Sequence, residues 1–181
     1  MSWSVRRLTR KDFDAYLAIR LEALTNHPES YATSPENFAA RPRQETEDFL
    51  SRRAVFGVVT EAGTLAGIVV YDRDSGERDS HRGWLLQVYV KPSLRGSGAA
   101  LAMIEAAVEH ARTEVIQVHL MVGAHNAPAI RLYEKAGFTT YGTDPRCLYV
   151  NGRYIDEHMM VRFLDREPAQ QQGTTESDRH D

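Results

Sequence analysis

A chain of 181 residues is long enough to bury a substantial core in one domain and short for two. With 42% hydrophobic and 26% charged residues it has the make-up of a folding globular chain, which excludes wholesale disorder. The net charge of −3 lies in residues 165–181, where five acids face two bases; the twenty acids and twenty bases before them cancel, excluding a broad attraction to nucleic acid or anionic lipid and pointing to a small or neutral partner.

The segment Met1–Lys11 is charged but has no continuous apolar stretch of the secretory kind, and no later run approaches a membrane span, so the expected address is cytoplasmic. Trp3–Leu8 alternates as a strand. Thr9 with Asp12 can cap a helix over about 11–26, whose buried stripe is expected to hold Phe13, Tyr16, Leu17, Leu21 and Leu24. Ser34-Pro35 is a second helix start and a helical pattern resumes over 43–53; both are expected to lie over the sheet. Residues 54–61 and 64–72, parted by Ala62-Gly63, read as an antiparallel hairpin, followed by a surface loop over 73–82. Trp84–Val90 is apolar on both faces except at Gln87, the mark of a central strand covered on both sides.

Helical spacing over 98–112 sets Leu101, Ile104, Val108 and Ala111 on one face, and 115–122 is again a strand. Strand, helix and strand make a right-handed parallel crossover. Residues 127–136 form a short helix stopped by Gly137, extended chain begins at Phe138, and Asn151-Gly152 predicts a tight turn between 147–150 and a strand within 153–164. The fold class is therefore α+β, one domain over residues 1–164 with a mixed central sheet flanked by helices. Residues 165–181 have almost no apolar side chain to offset ordering entropy and are expected to be a disordered polar tail. Cys147 is the only cysteine, so neither an internal disulfide nor a cysteine zinc site can form, and it reads as a packing residue. No H-E-x-x-H spacing occurs, His119 and His125 lack a suitably spaced carboxylate, and no metal is expected.

Chemistry concentrates in Val90-Lys-Pro-Ser-Leu-Arg-Gly-Ser-Gly-Ala-Ala100, between the central strand and the next helix. Gly96 and Gly98 permit a turn that other residues resist, and the helix start leaves N–H groups without intrahelical acceptors. Such a turn favours a phosphate or pyrophosphate, with roughly 0.3 to 2 kcal/mol from the helix dipole. Arg95 adds charge at its mouth. A P-loop would need Lys-Ser or Lys-Thr after its glycine, where Ala99-Ala100 stands, and the dinucleotide fingerprint would need a small residue at Leu101. Neither ATP nor NAD is supported.

A second constellation, Asn126-Ala-Pro-Ala-Ile-Arg-Leu-Tyr-Glu-Lys-Ala-Gly-Phe138, follows the next strand. Together the two segments resemble the GNAT superfamily of N-acetyltransferases. Arg95-Gly-Ser-Gly-Ala-Ala100 is similar to its acyl-CoA loop, and Asn126, Ala129, Leu132–Lys135 and Gly137-Phe138 to its other signature, in the family's order and spacing. The resemblance implies a cleft where two parallel strands splay apart. It implies acetyl-CoA (coenzyme A) as cofactor, its pyrophosphate on the amides of Arg95, Gly96, Ser97, Gly98, Ala99 and Ala100, and its pantetheine arm beside Val88, Tyr89 and Val90. Asn126 would help hold that arm, and Tyr133 would be the catalytic general acid at the departing sulfur. A phenol near pKa 10 holds its proton at neutral pH and can donate it to a thiolate of conjugate acid about 8.5.

The group that deprotonates the acceptor stays open. Many relatives place a glutamate on the central strand to act directly or through water; the most suggestive polar position here is Gln87, and an amide cannot be a base. Gln87, His125, Asp156, Glu157 and His158 are candidates for positioning substrate or water, the last three also as bases. Making the neutral form of a lysine-like amine at pH 7 costs roughly 4.6 kcal/mol against about 1 for an α-amine, so the missing carboxylate favours the less basic amine. The expected activity is direct acetyl transfer to a primary amine of a small molecule. Acetylation of a protein or peptide N-terminus or lysine is the related alternative, and a non-catalytic acyl-CoA-binding sensor or interaction domain the alternative of another class. Homodimerisation is expected by family analogy alone, with no nucleic acid or membrane partner.

Overall fold

The computed structural model describes residues 2–165, so the expected polar tail, Asp165 apart, lies outside the described residues. Among these, seven strands form one sheet in the order β1-β2-β3-β4-β5-β7-β6: β1 (Trp3–Arg7), β2 (Ala54–Thr60), β3 (Leu65–Arg73), β4 (Arg82–Val90), β5 (Gln117–Gly123), β6 (Thr139–Val150) and β7 (Arg153–Phe163). Only β4 and β5 run parallel. The α+β class with a mixed sheet is as expected, and β4 is indeed the middle strand.

The strand faces alternate between two cores. Val69 and Tyr71 pack with α4 (Ala99–Ala111) and α5 (Ala127–Lys135), whereas Ile68 and Val70 pack with α1 (Phe13–Asn26) on the other face. Met103 and Ile104 of α4 are wholly buried, each worth about 1.5–3 kcal/mol of apolar transfer. The Thr9–Asp12 capping box forms as expected, and Ser34 caps α2 (Pro35–Ala39) by accepting from the Asn37 amide at 3.1 Å. A third helix on this face, α3 (Arg43–Arg52), completes the layer.

Two local expectations shift. The buried stripe of α1 is Phe13, Tyr16, Ile19, Arg20, Ala23 and Leu24; Leu17 and Leu21 are only partly buried, because the helix turns a different edge to the sheet. The strand expected at 147–150 is the end of one twelve-residue strand starting at Thr139. Register breaks at 140–142 and 144–148 let this edge strand tolerate Pro145 and the left-handed Arg146. The Asn151-Gly152 turn closes with both residues at positive φ, as a type I′ hairpin requires.

One irregularity positions everything that follows. Between the pairs Val70↔Leu86 and Ile68↔Tyr89, two residues of β4, Gln87 and Val88, stand against one of β3. Gln87 adopts φ +55°, and this bulge bends β4. The parallel ladder consequently ends at Trp84↔His119, while β5 stays paired to β7 along its whole length. Beyond Trp84 the two parallel strands separate.

Candidate functional site

The divergence of Leu85–Val90 from Leu120–Gly123 leaves a cleft edged by backbone that no neighbouring strand completes. At its mouth β4 passes through Lys91 and a short 3-10 turn into Gly96 (φ +77°) and Gly98 (φ +84°), directly before α4. A Cβ at either glycine would meet nothing within 4 Å, so backbone conformation and not space demands glycine here. Among the described residues no acceptor meets the amides of Gly96, Gly98 and Ala100, and that of Ala99 has only the Ser97 hydroxyl at 3.4 Å. Arg95 reaches across the mouth to His27, Nη2 to Nε2 at 3.2 Å, and His27 in turn faces Glu29.

Three tyrosines approach the cleft, two from helices and one, Tyr31, from the turn after α1. Tyr133 of α5 is 6% exposed and stacks edge-on against Phe138 at 6.2 Å; among the described residues its hydroxyl has no hydrogen-bond partner. Burial, and secondarily the neighbouring Tyr31, push its pKa well above the ordinary phenol value. Tyr31 donates its hydroxyl to the Val88 carbonyl at 3.0 Å, and burial raises it to about 12. Tyr16 of α1 donates to Gln87 Oε1 at 2.6 Å, so the amide at the bulge accepts a hydrogen bond and, being an amide, cannot act as a base. Asn126 caps α5, its Oδ1 accepting from the Ala129 amide at 3.2 Å. The Tyr89 side chain turns away, donating to Glu22 at 2.9 Å, so only backbone of that residue faces the cleft edge.

The C-terminal hairpin separates its three polar neighbours. Register places Glu157 opposite Gly123, on the sheet face of α1, and Asp156 and His158 on the other face. Asp156 accepts from the Arg146 amide at 2.8 Å, and His158 meets the Thr143 hydroxyl at 2.9 Å. Glu157, 8% exposed, accepts the Cys147 thiol at 3.1 Å. Burial, reinforced by Glu157 and Asp144, raises that thiol to about 12, which removes it as a nucleophile at neutral pH. His125 is exposed, its ring lying over Gly123, and with Asp156, Glu29 and Tyr154 it lines a cavity of about 740 Å³. Among the described residues no cluster of three metal-ligating side chains exists.

Tyr31 and Arg20 were missed from the sequence. Tyr31 sits in an aperiodic turn that carries no local signal. Arg20 falls four residues after Tyr16, so a cation within the helix stripe was the available clue.

Residues 20–138 match the sequence model of the Acetyltransferase (GNAT) family. The chain is 33% identical over 138 residues to a mycothiol acetyltransferase of Thermobispora bispora, a match covering 74% of this chain and 45% of that protein. The chain thus spans less than half the length of that relative. It is 30% identical over 171 residues to an L-methionine sulfoximine/L-methionine sulfone acetyltransferase of Pseudomonas aeruginosa, covering 91% of this chain and 96% of the relative. A GNAT-family acetyltransferase structure from Streptococcus pneumoniae superposes with TM-score 0.80 at 23% identity, covering 90% of this chain and 99% of that one, and bears on the fold alone.

Proposed function

The chain belongs to the GNAT acetyltransferase family, and from that membership we propose that it moves an acetyl group from acetyl-CoA to the primary amine of a small molecule. The observation that carries this reading is the parting of β4 from β5 after Trp84, with unpartnered amides at one end and the Tyr133 phenol on the adjoining helix. The residues fit the cofactor: two left-handed glycines before a helix start present N–H groups to a diphosphate, and unpaired strand edges suit an amide-bearing arm. Acetyl-CoA supplies a thioester activated for attack by an amine.

On this reading the chain's own groups divide the work. The amides of Gly96, Gly98, Ala99 and Ala100 bind the diphosphate, and Arg95 adds charge. Val88 already lends its carbonyl to Tyr31, so the arm meets the remaining backbone of Val88–Val90 or displaces that phenol. Asn126 orders the start of α5 and with it Tyr133, which holds a proton for the departing sulfur. Burial weakens the phenol as an acid, and the same exclusion of water raises the thiolate's affinity for the proton. Glu157, opposite the end of β5 and on the α1 face, is the group that takes the acceptor's proton. Gln87 steers the acceptor through the Tyr16 hydrogen bond.

Both full-length and partial relatives are small-molecule acetyltransferases by name, which supports a small acceptor. The test is calorimetric titration with acetyl-CoA followed by a screen of amines, L-methionine sulfone among them, for thiol release and product mass. Binding with acetylated product is the expected result. Binding without turnover of any amine returns the chain to the sensor class, and absence of binding removes the reading altogether.

A further inference from the structure

Resting on the transferase reading, we infer that the acceptor is an α-amino acid or a close analogue, whose carboxylate is bound by Arg20. Arg20 is 4% exposed, and its Nε and Nη1 are enclosed without any hydrogen-bond acceptor. Among the described residues it forms no ion pair; the groups acting on it are Tyr31, which also hydrogen-bonds it, Tyr16 and Arg41, none of them a carboxylate. Its guanidinium lies over the Tyr31 ring, 4.3 Å from the centroid. A buried guanidinium lacking a counter-charge is costly, and a bound anion is what compensates such a group.

Its place in the fold says which part of an acceptor the anion belongs to. Arg20 lies one helical turn beyond Tyr16, which holds Gln87, and against Tyr31, which holds Val88; it therefore faces the β4 bulge where the parallel strands part. Tyr31 also lies near enough to Tyr133 to bear on its titration. The cation thus stands beside the reacting end of the cleft and not out along its length. An acceptor that carries its anionic group close to its amine, as an α-amino acid does, can meet this cation while the amine approaches the thioester. A cavity of about 570 Å³ lined in part by Tyr16, Phe38, Thr46, Phe49 and Gln87 leads to the bulge; Arg41 on its wall is paired with Glu45 at 3.9 Å, which leaves Arg20 as the cation without a carboxylate beside it.

The experiment compares kcat/KM for L-amino acids, L-methionine sulfone included, with those for their carboxamides, in the wild type and in Arg20→Met. The wild type is expected to prefer the best acid over its carboxamide by about 100-fold or more, mainly through KM. Arg20→Met is expected to bring that ratio below about threefold and, by removing an unpaired buried charge, to leave Tm equal or higher. Equal use of acid and carboxamide by the wild type, an unchanged ratio in the variant, or equal loss on both compounds with a lowered Tm overturns the inference. Should Arg20→Met not fold, Arg20→Lys keeps the charge without the planar fork, and a ratio reduced about tenfold is expected; an unchanged ratio overturns it. If no amine is acetylated at all, the transferase reading fails separately. The carboxylate site is then judged by thermal shift: L-methionine sulfone raising Tm in the wild type but not in Arg20→Lys supports it, and no rise with any L-amino acid overturns it.

Discussion

Burial sets the proton affinity of single side chains here. The phenol of Tyr133 keeps its proton far above neutrality because the phenolate would be desolvated. Tyr133→Phe is therefore expected to lower kcat by about 100-fold or more while acetyl-CoA affinity stays within about twofold, measured by single-turnover thiol release and calorimetry. Glu157→Gln keeps the shape and the Cys147 contact but cannot take a proton. Its kcat/KM is expected to fall about 100-fold at pH 7, and to recover partly as pH rises toward the pKa of the acceptor. Burial also governs stability. Tyr16, Tyr31 and Cys147 are all raised to about 12 in the fold, so the unfolded chain releases these protons first. Their stabilising contribution is whole below the unfolded values, about 8.5 for the thiol and 10 for the phenols, and is lost as pH climbs toward 12. Urea midpoints are expected to fall over that window, and Tyr31→Phe to flatten the fall.

Elements impose their own requirements. The glycine turn was legible because Gly96 and Gly98 stand between an apolar run and a helical period, and both adopt the left-handed conformation. Open space around Gly98 means that Gly98→Ala is opposed by conformation alone, about 1–2 kcal/mol. The turn is expected to relax rather than clash, which disperses the amides: acetyl-CoA Kd should rise about tenfold, with the stability loss read from urea denaturation. The α1 stripe was misjudged at Leu17 and Leu21, since periodicity fixes the spacing of a buried face but not which way the helix is rolled. That roll brought Arg20 inward. The long β6 was read as two pieces, extended chain from Phe138 and a strand at 147–150, because Pro145 and Gly142 break the alternation that announces a strand while register shifts absorb them.

At the scale of the whole molecule, two cores grip opposite faces of one sheet, and the bulge at Gln87–Val88 opens that sheet between β4 and β5. Because α4 packs across β1 to β4 while α5 and β7 continue the same core, unfolding is expected to be a single transition. Acetyl-CoA at 100 times its Kd is expected to raise the unfolding free energy by about 2.7 kcal/mol, measured from paired urea curves. Order of strands and helices, the central place of β4, the glycine turn and the Asn126–Tyr133 segment were all decided by local pattern, since propensity, turn chemistry and period are properties of neighbouring residues. The bulge, the Tyr31–Val88 and Tyr16–Gln87 bonds, the Glu157–Cys147 contact and the unpaired charge of Arg20 emerged only from the folded chain. Each joins residues far apart in sequence, or depends on the roll of one element over another. Packing fixes such relations, and no local spacing records them.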